Sequence, residues 1–234
     1  MIKLSDRLRS CAELVKPGNI AADVGTDHGY LALYLLEQNI CPAVFASDLR
    51  EGPLNAARRS AAREGVSDRI TFVRSDGLQA LPLSEIHTVI CAGMGGDTIQ
   101  GILSAAPGVR DPGKQLILQP QSKAPELRKW LLQNGFSVLR ERLSRDGKFL
   151  YTAMEVRFTG EEKLLSPGQA VLPPWLAGSG DPLLPAYIAR VRMGAAQTVS
   201  GLRRAKQTNQ ALLAEYEEID AYLLEMEAHY ASSK

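Results

Sequence analysis

Aspartates mark the ends of three successive apolar runs: Asp23 within Ile20–Val24, Asp48 just after Ala43–Ser47, and Asp76 just after Ile70–Arg74. The first run continues as Gly25-Thr26-Asp27-His28-Gly29-Tyr30, a G-x-x-x-G segment that opens a helix. Glycines there let the backbone turn tightly and approach a ligand closely. Asp48 lies 23 residues after Gly25, with Leu49 beside it, and can accept hydrogen bonds from ribose hydroxyls. Asp76, followed by Gly77, can receive an adenine amino group. Carboxylates at three strand ends on the carboxyl edge of one sheet form one site for an adenosine-containing ligand, with NAD and S-adenosylmethionine as the candidates. A pyrophosphate needs open backbone amides at a helix start, and the charge of Asp27 in mid-loop repels it. A sulfonium and an ammonium are attracted instead, and Asp23 stands where a carboxylate can face that ammonium. The residues thus favour S-adenosylmethionine, with S-adenosylhomocysteine as product. The expected cofactor set is Asp23, Gly25, Thr26, Asp27, His28, Gly29, Tyr30, Asp48, Leu49, Asp76 and Gly77, with Gly93 and Met94 from a later glycine-rich segment. The competing reading is that the aspartates only cap helices or turns.

Such a site needs a sheet to hold it. Five apolar runs (Ile20–Val24, Ala43–Ser47, Ile70–Arg74, Thr88–Ala92 and Gln115–Gln119) alternate with helix-length amphipathic stretches at Tyr30–Gln38, Gly52–Glu64, Asp97–Ala105 and Ala124–Asn134. Strands alternating with helical crossovers predict a parallel, doubly wound α/β sheet. Phe136–Leu143 and Phe149–Arg157 flank Asp146-Gly147, a hairpin signal, so the sheet ends in an antiparallel pair. Residues 1–157 form this domain. Residues 158–182, with Pro167, Pro173, Pro174, Pro182, Gly168, Gly178 and Gly180, read as a linker. From 183 to 234 the pattern changes. Leu184, Ile188, Val191, Ala195, Thr198, Leu202 and Ala205 keep a 4-3 spacing, as do Leu212, Tyr216, Ile219, Leu223, Met226 and Tyr230. These are coiled-coil seams. A helical hairpin turning near Lys206–Asn209 is the expected arrangement, and one continuous helix fits the spacing almost as well. A pair of surface helices packed on the α/β domain is the plainer alternative.

The composition is that of an ordinary globular chain: 234 residues, 45% hydrophobic and 23% charged. Lys plus Arg total 27 against 26 Asp plus Glu, so no global attraction to nucleic acid is built in, and only a local basic patch could supply it. Cys11, Cys41 and Cys91 are widely spaced, and with three histidines no metal-ligand spacing emerges. No apolar run approaches the 18 or so residues that span a bilayer, and charges interrupt the first apolar residues. A cytoplasmic protein without membrane or metal partner is expected.

The D-x-G-x-D-H-G-Y loop, Ala92-Gly93-Met94-Gly95-Gly96 after the fourth run and Leu118-Gln119-Pro120-Gln121 after the fifth resemble the bacterial tRNA (adenine-22-N1)-methyltransferases over the whole chain, helical tail included. The family commonly has Asn where this chain has Gln121. The resemblance implies a Rossmann-like class I methyltransferase domain with a C-terminal helical coiled-coil domain. It implies tRNA as the partner, methylated on N1 of adenine 22. For that chemistry Asp27 is the first candidate for an electrostatic or base role, with Gln119 as a second catalytic candidate. Met94, Gly95, Pro120 and Gln121 would line the acceptor base, both segments being read as turns. Cys91 is read as a buried strand residue. Lys3, Arg7 and Arg9 on the first helix, and Arg190, Arg192, Arg203, Arg204 and Lys206 on the tail, are candidates for phosphate contacts. The coiled coil would close within one chain or between two, giving a monomer or a homodimer. Two alternatives keep the cofactor: a methyltransferase of a small molecule or protein, and a non-catalytic S-adenosylmethionine-binding partner protein.

Overall fold

The apolar runs become the strands β1 (Ala21–Val24), β2 (Val44–Asp48), β3 (Ile70–Arg74), β4 (Thr88–Gly95), β5 (Gln115–Ser122), β6 (Phe136–Asp146) and β7 (Phe149–Phe158). They are seen in a computed structural model that describes residues 2–205, 207 and 209–232. The chain divides into two units, Met1–Glu162 and Lys163–Lys234.

In the first unit the seven strands form one sheet in the order β3-β2-β1-β4-β5-β7-β6. β1 to β5 pair in parallel, and β7 runs antiparallel to both β5 and β6. The order switches direction between β1 and β4. Loops leaving those two strands part to opposite sides, which opens a crevice at their carboxyl ends. Five helices surround the sheet: α1 (Asp6–Ala12), α2 (Tyr30–Glu37), α3 (Glu51–Glu64), α4 (Gly96–Ser104) and α5 (Ala124–Gln133). β1 is buried along its whole length, and α2 turns Leu31, Leu33, Leu35 and Leu36 into the core beside Leu14, Val44 and Ala46. Gly29 starts α2 at φ +77°, and a Cβ there would come within 2.9 Å of Ala57. Only glycine fits both that backbone and that contact.

The two segments read as turns after the fourth and fifth runs are strand. β4 runs on to Gly95 and β5 to Ser122, paired with register shifts around Met94. Pro120 lacks an N–H and is accommodated where the ladder is already irregular. α4 then begins hard against the end of β5: a Cβ on Gly96 would lie 2.6 Å from the Lys123 carbonyl oxygen. At the far side of the sheet, Arg128 of α5 and Glu141 of β6 form a fully buried pair at 2.5 Å, and the Thr152 hydroxyl of β7 donates to the same carboxylate.

The second unit is helical. Residues 158–182 carry more order than their prolines and glycines suggest. Within them lie α6 (Pro167–Val171), closed by a Ser166–Gln169 capping box, and α7 (Pro174–Ala177). The remaining helices are α8 (Leu184–Arg204) and α9 (Gln210–Ser232). Gly168 of α6 meets the Tyr222 ring of α9, and the Tyr222 and Tyr187 hydroxyls donate to the carbonyls of Leu172 and Val171. Of the two tail topologies, the structure has the hairpin. Arg192 pairs with Glu227 and Arg203 with Glu217, an antiparallel pairing. Leu184, Ile188, Ala195, Ile219 and Leu223 of the two seams are buried. Lys206, in the expected turn, lies outside the described residues.

Candidate functional site

Asp23 sits at the foot of the crevice, 4% exposed. Its carboxylate accepts the Thr26 hydroxyl at 2.7 Å and a hydrogen bond from the Ala32 amide. Burial pushes its pKa up to about 6, against the pull of those two hydrogen bonds and with a smaller push from Asp48. A buried carboxylate whose hydrogen-bond donors are both neutral is a strong attractor for a cation. The loop above it is fixed from below. The Gly25 and Thr26 amides both donate to the Ser47 carbonyl, at 2.8 and 2.9 Å, and Gly29 N–H donates to the Thr26 carbonyl at 2.8 Å. Amides spent in this way are not available to cradle a pyrophosphate.

The loop's charged residues face solvent. Asp27 takes a left-handed backbone (φ +48°), and its side chain is 75% exposed, 3.7 Å from His28 Nε2. The His28 and Tyr30 rings stack with centroids 5.6 Å apart. Across the crevice, Met94 lies over the loop so closely that any side chain at Gly25 would collide with its terminal methyl.

A cavity of about 230 Å³ lies here, lined by Asp23, Gly25, Thr26, Asp27, His28 and Tyr30 from one wall. Gly93 and Gln121 face them, with Leu8, Leu31 and Ala92 as apolar surface and Arg7 as the cation. Asp76 and Gly77 line a second hollow of about 300 Å³, together with Thr98 and Ile102. Asp23 and Asp76 line different hollows, while Asp48 lies close enough to Asp23 to push its pKa up. Asp48 lines neither hollow; its Oδ1 accepts the Arg50 amide at 2.8 Å, and Leu49 beside it is 59% exposed. The twist of a parallel sheet carries successive strand ends away from one another, and β3 is the outermost of the three.

Arg7 has a place that sequence reasoning missed. Two residues apart on a helix point about 200° apart, so Arg7 and Arg9 do not share a face. Arg7 enters the cavity, whereas Arg9 is exposed and lines neither hollow. Arg7 Nη1 donates to Gln119 Oε1 at 2.7 Å, and the Gly93 amide donates to the same oxygen at 3.0 Å. Gln119 is fully buried, and its Nε2 donates to the Pro120 carbonyl. Its amide holds Arg7 and Gly93 in place and does not reach out to a base. Pro120 is buried as well, and only Gln121 of that segment faces the cavity. The sequence offered Arg7 for phosphate contact but not for the contact with Gln119, because that one joins residues 112 positions apart. Burial pushes the Cys91 thiol up to about 12, so it stays protonated.

In the helical unit Arg203 and Arg192 are engaged by Glu217 and Glu227, while Arg204 is exposed. Among the described residues, no helix is long and apolar enough to cross a membrane, and no group of His, Cys, Asp or Glu is placed to hold a metal.

Residues 4–154 match the family model for a methyltransferase domain. The tRNA (adenine(22)-N(1))-methyltransferase of Bacillus subtilis is 34% identical over 148 residues, covering 63% of this chain and 62% of that enzyme. The chain thus aligns with somewhat less than two thirds of that relative's length. The crystal structure of the B. subtilis m1A22 tRNA methyltransferase superposes with a TM-score of 0.85 at 26% identity, over 97% of this chain and 100% of the other. A Streptococcus pneumoniae structure in complex with S-adenosyl-L-methionine superposes with a TM-score of 0.82 at 26% identity, over 96% and 100%.

Proposed function

We propose that this chain, which belongs to the methyltransferase-domain family, is a tRNA methyltransferase that modifies N1 of adenine 22 with S-adenosylmethionine as methyl donor. The observation that carries this reading is the likeness to the B. subtilis tRNA enzyme, which runs through both units and not through the sheet alone. The site fits the donor. Asp23 offers a buried anion with only neutral donors around it, the counterpart of an ammonium. The bare Cα of Gly25 lets the loop pass directly beneath the Met94 methyl without a clash. S-adenosylmethionine, when bound, supplies an electrophilic methyl carbon on a cationic sulfur.

The chain's own residues do the rest by position and charge. N1 of neutral adenine already carries an in-plane lone pair, so no residue has to take a proton before attack. The product base is cationic, and the Asp27 carboxylate at the cavity mouth is placed to stabilise that charge as it develops. The stacked His28–Tyr30 pair presents an aromatic face to an incoming base. Leu8, Leu31 and Ala92 exclude water from the walls. Arg7, locked by Gln119, fixes the far wall with Gly93. We place the enzyme in the cytoplasm, as a monomer or a homodimer.

Labelled S-adenosylmethionine with two unmodified transcripts, one carrying adenine and one guanine at position 22, tests this reading. Label is expected on the first alone, recovered as N1-methyladenosine after digestion. Equal label on both, or none on either while S-adenosylhomocysteine binds, overturns it. A second expectation concerns the wall. Gln119→Leu removes the acceptor shared by Arg7 and Gly93, and kcat falls about 10- to 100-fold through misplacement. S-adenosylhomocysteine affinity falls less than kcat does, because the Asp23 side of the site is untouched. Unchanged kcat in that variant would show that the wall needs no such lock.

A further inference from the structure

The antiparallel hairpin carries three side chains, Lys148, Phe149 and Tyr151, that the methyl-transfer reading does not use. β6 and β7 pair with Asp146 opposite Phe149 and Ser144 opposite Tyr151, joined by Gly147 and Lys148. Residues two apart on a strand share a face, so Phe149 and Tyr151 lie in line, with ring centroids 6.2 Å apart. Lys148 Nζ stands 5.4 Å from the Phe149 ring centre, and Arg7 Cζ stands 6.0 Å from that of Tyr151. Arg7 also lines the cavity. The row Lys148–Phe149–Tyr151–Arg7 therefore runs unbroken from the hairpin tip to the edge of the site.

Phe149 is 45% exposed at a hairpin tip, where an aromatic ring adds little to the core. Alternation of cations and aromatic faces is what single-stranded nucleic acid requires: rings for the bases and charges for the phosphates. Arg145 and Lys148 are exposed there against the single carboxylate of Asp146, whereas Arg142 is engaged by Glu13 at 2.6 Å. An apolar peptide would leave those cations unused.

We infer that this row is a stacking platform for the nucleotides next to the methylated adenine. The inference rests on the tRNA reading above and names the part of the substrate this face takes. A base drawn out of a folded RNA leaves its neighbours with an uncovered face, at a cost of a few kcal/mol. Phe149 and Tyr151 replace the lost stacking, while Lys148 and Arg7 meet the adjoining phosphates.

The test uses the full chain, the tRNA transcript with adenine 22, and the same transcript with 2-aminopurine at a nucleotide beside it. Phe149→Leu keeps an apolar side chain without a π face. It is expected to raise KM for tRNA about tenfold, since loss of one base–aromatic stack costs roughly 5- to 150-fold. It also abolishes quenching of the 2-aminopurine on binding, and leaves S-adenosylhomocysteine affinity unchanged. Phe149→Trp retains KM and quenching, and Lys148→Ala raises KM about threefold and flattens its salt dependence. A Phe149→Leu enzyme with wild-type KM and wild-type quenching overturns the platform while the tRNA reading stands. A wild-type enzyme that methylates no tRNA overturns both.

Discussion

Asp23→Asn weakens S-adenosylhomocysteine binding at pH 7 by about 30-fold or more, as measured by calorimetry, while the ligand-free variant melts no lower than wild type at pH 8. The loss follows from removing one partner of a buried, hydrogen-bonded charge pair, which costs about 2–5 kcal/mol. The retained stability follows from burial. Asp23 ionises at about 6 in the folded protein against 3.8 for an ordinary aspartate. Between those two values the native state binds more protons than the unfolded one, so stability falls as pH rises through the window and stays low above it. A shift of that size corresponds to roughly 3 kcal/mol of strain held ready for a cation. Asparagine carries none of it.

The same ionisation sets a pH profile for binding. At pH 5 about a tenth of Asp23 is charged, and at pH 7 about nine tenths, so affinity rises about tenfold over that interval and levels off above it. Asp23→Asn should show a flat profile. A wild-type profile equally flat from pH 5 to 7 would separate the buried carboxylate from ligand binding altogether.

The alternation of apolar runs with helix-length stretches was enough to read the sheet, because parallel strands buried on both faces must be continuously apolar. The antiparallel end was legible from Asp146-Gly147, and the two tail helices from two seams of one spacing, which a single continuous helix would fit almost as well. The loop from Asp23 to Tyr30 was legible because its residues are neighbours in the chain and the glycines fix its path. What stayed hidden was set by long-range geometry. Glycine in Gly93–Gly96 suggests a turn, yet pairing with β5 draws the segment out as strand. An acid after β3 looks equivalent to one in β1, yet the two line different hollows. Gln119 read as a catalytic candidate, and only the fold shows its oxygen held by Arg7 and Gly93.

The largest loss of stability should come from Arg128→Met. Arg128 and Glu141 are both fully buried, and α5 and β6 meet through their 2.5 Å contact. Removing the guanidinium leaves Glu141 as an uncompensated charge in the core, which costs about 3–5 kcal/mol. For a chain of this size that lowers Tm by about 6–20 °C. The pair itself need not be worth that much, because taking two ions out of water offsets most of their attraction. Arg128→Met combined with Glu141→Leu should therefore regain most of the lost Tm. Adding Thr152→Val should regain more, since the Thr152 hydroxyl donates to Glu141 and is otherwise left unpaired. If the double variant melts as low as the single one, the pair contributes net stability of its own. The cycle bears on function because β6 and β7 carry Tyr151 against Arg7. A hairpin loosened from α5 would release that wall of the cavity before the sheet unfolds. Methyl transfer by Arg128→Met should thus fall at temperatures where circular dichroism still reports a folded chain, and recover in the double variant.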